Sequence, residues 1–102
     1  MGWRLVTYTK NVPPIQSIEN ALRIFYSHSE LGNKEIKALF GKNSSSTIAR
    51  LKHYARDEMM RRNVPSYGIN NVNTAVAFDV WGIDVADLEK RLQKMKALGL
   101  TS

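Results

Sequence analysis

Gly41 separates two stretches whose apolar residues recur at helical spacing, and this pairing limits the chain more than any other feature. Before it, Ile36, Leu39 and Phe40 share one face of a short helix that opens at Asn33, a good N-cap residue. After it, residues 42–47 (KNSSST) supply turn chemistry, with Ser44 or Ser45 as a second N-cap. Ile48, Leu51, Ala55 and Met59 then recur every three or four residues, which is the buried stripe of a helix over 45–62. Glycine at the junction suits a left-handed helix terminus. The stretch reads as a short helix, a tight turn and a long helix rich in Arg and Lys.

The flanks read as helix too. Pro14 suits the first turn of a helix in which Ile15, Ile18, Leu22 and Phe25 share a face that ends near His28 and Ser29. Leu31 and Gly32 break it. The long helix stops at Asn63, Val64 and Pro65. Residues 63–73 hold Pro, Gly and four Asn and read as a loop, with room for a wing-like hairpin around Tyr67 and Gly68. Asn73 caps a short helix from Thr74 to about Trp81, and Gly82 breaks it. Asp84 caps a last helix that Gly99 ends, with Asp87 early and Lys90, Arg91, Lys94 and Lys96 late, the order a helix dipole favours. Residues 3–8 are β-branched and aromatic, a short strand or a hydrophobic arm.

The expected fold class is all-α in the main, in one domain. An N-terminal arm or strand covers 1–13, a helical core 14–62, a loop 63–73 and C-terminal helices 74–99. With 102 residues the chain has room for one core, and an apolar share of 43% suits a folded protein. No apolar run reaches membrane-spanning length, the N-terminus lacks the pattern of a signal peptide, and cysteine is absent. A cytoplasmic protein without disulfides, thiolate metal sites or a membrane partner is expected.

The charge is uneven. The net charge is +6, and residues 1–63 carry 11 Lys and Arg against 5 Asp and Glu, whereas residues 64–102 carry 4 against 4. The excess lies with the paired helices, and a polyanion such as nucleic acid is the natural partner.

Residues 33–62 resemble the helix-turn-helix of small helix-turn-helix or winged-helix DNA-binding proteins of bacteria and their phages. The tail over 73–100 is similar to C-terminal segments of small phage or mobile-element proteins of Gram-positive bacteria. Two positions depart from the familiar motif: Lys37 stands where a small residue precedes the glycine, and Ile48 follows the glycine one residue late. The resemblance implies sequence-specific binding of double-stranded DNA and a role in transcription regulation. Ser45, Ser46 and Thr47 would open the recognition helix and meet phosphate or a base edge. Arg50 and His53 would face the groove. Lys42, Lys52 and Arg56 would hold phosphates, and Lys34 and Lys37 the flanking backbone.

Other constellations are weaker. His53 and Asp57 lie four apart on one helix face, but no third metal ligand stands nearby. The three serines lack a general-base partner, and Asp79, Asp84 and Asp87 lack the spacing of a calcium loop. No enzyme and no cofactor is expected. Val85, Leu88, Leu92 and Met95 form a stripe that either packs within the monomer or makes a homodimer seam, aided by Val76, Val80 and Trp81. Trp3 and Trp81 read as core or interface anchors. A protein-interaction module, such as a phage-type inhibitor or adaptor with a protein partner, is the second functional reading. An excisionase-like architectural protein that bends DNA is the third.

Overall fold

Short polar side chains set where most of the helices begin. A computed structural model describes residues 12–100. In chain order its helices are α1 (Ile18–Ser27), α2 (Asn33–Phe40), α3 (Ser45–Arg62), α4 (Thr74–Val80) and α5 (Val85–Ala97). Ser17, Ser44, Asn73 and Asp84 each accept a hydrogen bond from the N–H three residues on, at 3.0–3.2 Å. Each such bond satisfies one donor that the first helical turn leaves open. At α2 the order is reversed: Gly32 is the cap residue, and its N–H donates to the Glu35 carboxylate at 2.8 Å. Asn33, expected as that cap, is instead the first helical residue.

The first helix starts later than Pro14 suggests. Gln16 N–H donates to the Leu39 carbonyl at 2.9 Å, which ties the segment before α1 to α2. Ser17 then offers the cap that Pro14 lacks. The expected strand or arm over residues 3–8, Trp3 included, lies outside the described residues.

Two strands occur within stretches read as break and loop. β1 (Glu30–Leu31) and β2 (Val72–Asn73) pair antiparallel, Glu30 opposite Asn73 and Leu31 opposite Val72. Two residues are too few for an alternating pattern to show in sequence. This sheet has two strands among the described residues, so residues 64–71 form a loop and not a strand hairpin. The fold is mainly helical, as expected.

At the turn between α2 and α3, Gly41 has φ 81° and ψ −156°. That is not the left-handed helical cap the sequence suggests. It is a region essentially reserved for glycine. Its N–H still closes α2 on the Lys37 carbonyl at 2.8 Å. The chain then leaves extended and reaches Ser44 in four residues.

One hydrophobic cluster joins all five helices and both strands. Ile36, Leu39 and Phe40 of α2 enter it with Ile48, Leu51, Ala55 and Met59 of α3. Trp81 is buried there, its indole N–H donating to the Leu51 carbonyl at 2.9 Å and its ring edge-on to Phe40. Residues considered for a dimer seam lie largely in this core. Leu88, Val76 and Trp81 are buried, and Val80, Val85 and Leu92 pack against them. Met95 is half-buried. α4 packs on α3, and α5 packs on α1. No helix among the described residues is long and apolar enough to cross a membrane.

Candidate nucleic-acid interface

Burying Ile48, Leu51, Ala55 and Met59 turns the opposite side of α3 outward. Ser46, His53 and Asp57 lie on that side and are exposed, with Ser45, Ala49 and Arg56 along its edge toward α2. The helix therefore opens on a row of short side chains, Ser45, Ser46 and Ala49, flanked by cations.

The start of α3 is rich in hydrogen-bonding groups. Ser44 Oγ accepts from Thr47 N–H at 3.2 Å and lies 3.0 Å from both Ser46 Oγ and Thr47 Oγ1. The first N–H groups of a helix have no acceptor within it and carry the positive end of its dipole. Ser45 and Ser46 occupy those positions.

Beside this row runs a shallow cleft of about 320 Å³ between α2, α3 and the loop before β2. Lys37, Ser45 and Lys52 line it together with Asn33, Ala49 and Asn70. Lys52 is half-buried, and its Nζ donates to Asn33 Oδ1 at 3.1 Å. Burial, and secondarily the neighbouring Arg56 charge, pushes its pKa down. An anion arriving there would favour the charged ammonium and so oppose both effects. Arg56 reaches toward the loop, Nη2 3.5 Å from the Asn71 carbonyl. His53 stands 3.5 Å from Asp57, both exposed.

No family model, curated protein or solved structure matches this chain.

The structure gathers some of the expected site residues and separates others. Lys37, Ser45 and Lys52 share the cleft. Ser46, Thr47 and His53 follow along α3, and Lys42 is exposed in the turn. Lys34 lies elsewhere, in the groove between α1 and α2 with Arg23 and His28. Arg50, expected to project freely, is half-buried, and its Nε is out of contact with solvent. Asn33, Ala49 and Asn70 also line the cleft, and none carries a charge that marks it in the sequence as a site residue. Ala49 is small and apolar, Asn33 reads as a cap, and Asn70 reads as loop.

Proposed function

We propose that this chain binds double-stranded DNA sequence-specifically, as a small helix-turn-helix transcription regulator, with the start of α3 in the major groove. One observation carries the reading. The first turns of α3 present short side chains outward, with Lys37, Lys52 and Arg56 along the flank toward α2 and the loop before β2.

Lengths support it. A helix rises 1.5 Å per residue, so residues 45–53 span about 12 Å, close to the width of the major groove. Ser45, Ser46, Ala49 and His53 fall within that span. Asp57, whose carboxylate would repel phosphate, falls a turn beyond it. Hydroxyls of Ser45 and Ser46 suit phosphate or a base edge, and the Ala49 methyl suits the methyl group of thymine. Lys37, Lys42, Lys52 and Arg56 supply the charge that fixes orientation. Four such cations on phosphates would make affinity fall about a hundredfold between low and moderate salt.

The deciding experiment is selection of a random pool of duplexes at moderate salt, followed by sequencing of what is retained. An enriched motif is expected. Retention without enrichment would reduce the protein to a non-specific binder. A protein-interaction module is the second reading, and Met60, 77% exposed on the outward side of α3 beyond the basic stretch, favours it. Salt dependence does not separate the two, since both are electrostatic, whereas preference for one duplex sequence does.

A further inference from the structure

The loop between α3 and β2 is the feature that the major-groove reading leaves unused. Its backbone is tied down along its length. Val64 N–H donates to the Met59 carbonyl at 2.8 Å. The Glu30 carboxylate, reaching up from β1, accepts from Tyr67 N–H at 2.7 Å and from Gly68 N–H at 2.9 Å. Ser66 Oγ lies 2.9 Å from the Gly68 carbonyl and 3.1 Å from that of Asn71. At Gly68 a Cβ would sit 2.3 Å from the Asn71 side-chain amide, so that side chain would have to move to admit any larger residue. Asn70 takes a left-handed φ of 67°.

This fixed backbone holds two apolar side chains in water. Tyr67 is 88% exposed and Ile69 91% exposed, more than the other large hydrophobic residues exposed in the described chain. An isolated exposed apolar residue is ordinary. Two of them stand two residues apart on one tethered tip. The tip is continuous with the candidate interface: Asn70 lines the cleft with Lys37, Ser45 and Lys52, and Arg56 reaches the Asn71 carbonyl.

We infer that Tyr67 and Ile69 form a wedge that enters the DNA minor groove beside the major groove occupied by α3, unstacks a base step and bends the duplex. The inference rests on the DNA-binding reading and goes further by assigning a second contact and a deformation. With α3 in the major groove, Lys52 and Arg56 meet the phosphate strand that divides the two grooves. The tip, which adjoins the cleft through Asn70 and Arg56 through the Asn71 carbonyl, would then reach across that strand. A minor groove about 6 Å wide admits side chains but not a helix. Apolar side chains held there part neighbouring bases, most readily at flexible pyrimidine–purine steps. An ordered tip gives up little conformational entropy on insertion.

The test uses duplexes recovered from the random pool, labelled at both ends for energy transfer and carrying 2-aminopurine at successive steps beside the α3 site. Wild-type protein should bring the ends closer and raise the 2-aminopurine emission at one step. Tyr67→Ser/Ile69→Ser should keep its fold, because the clamp uses backbone N–H groups and both side chains are exposed. It should bind about tenfold more weakly, because the stacking on a base is lost, and it should lose both signals. Wild-type binding with neither signal would overturn the wedge and leave the DNA-binding reading standing. So would equal signals from wild type and variant. If wild-type protein retains no duplex at all, both readings fall and a protein partner takes their place.

Discussion

Ala49 and Gly41 are small for different reasons, and substituting each tests a different link. Ala49 is exposed among Ser45, Lys37 and Lys52, at the depth where α3 would meet bases. Ala49→Glu puts a carboxylate there without touching the core, and Glu forms helix almost as well as Ala. Retention of duplex DNA should be abolished with the melting temperature nearly unchanged. Normal retention by that variant would mean that α3 does not enter the groove by its start. Arg50→Ala is a poorer probe than the helical wheel suggests, because the half-buried side chain also packs, and its loss should lower stability together with binding. Gly41 matters to the fold instead. Its φ of 81° and ψ of −156° are hostile to a Cβ, and that Cβ would fall 2.4 Å from the Gln16 side chain. Gly41→Ala should cost about 1–3 kcal/mol, read from the midpoint of a urea titration. An unchanged midpoint would mean that the turn relaxes to another geometry.

At the scale of elements, the far end of α3 is anchored where its start is left open. Glu58 accepts from both Arg61 and Arg62, and Arg62 also reaches Asp79 on α4. The bonds from Arg61 and Arg62 draw the Glu58 carboxyl from 4.5 to about 2. A carboxyl held low in the folded state stabilises it above the ordinary pKa, and the benefit fades as pH falls toward the folded value. Wild type should therefore melt above Glu58→Gln at neutral pH, with the gap closing between about 4.5 and about 2. A gap that stays constant over that interval would show that packing, not ionisation, sets it. The elements were legible in proportion to such local chemistry. Ser44, Asn73 and Asp84 mark helix starts because one side chain does the capping. Pro14 misled because proline merely permits a first turn, whereas Ser17 accepts the bond that creates one. The strand pair escaped because two residues on each side show no period, and pairing Leu31 with Val72 is a property of the tertiary fold. The clamp of Glu30 on the Tyr67 and Gly68 N–H groups was hidden for the same reason, since the partners stand 37 and 38 residues apart.

Across the whole molecule, the basic excess and the C-terminal helices fall to different tasks. Lys37, Lys42, Lys52 and Arg56 belong to the stretch that carries all of the net charge, and the balanced remainder after residue 63 supplies much of the support behind it. α4 packs on α3, and Trp81 bonds to the backbone of Leu51. α5 packs on α1, with Leu88 buried and Tyr26 OH donating to Glu89 at 2.7 Å. The sequence left the stripe of Val85, Leu88, Leu92 and Met95 open between core and dimer seam, because a short apolar face looks the same in either setting. Its burial against the chain's own core now makes the two settings separable. If α5 is part of the monomer core, a chain ended at Gly82 loses the helix that packs on α1 and the buried Leu88. It should then melt without a sharp transition and expose apolar surface to a hydrophobic dye. If α5 is chiefly a seam, the shortened chain should melt cooperatively and sediment as a monomer where the full chain sediments as a dimer. The first outcome is expected, since a buried leucine removed from a core costs about 2–5 kcal/mol by itself and α5 removes more than Leu88. Sedimentation and melting on the same sample distinguish a lost core from a lost partner.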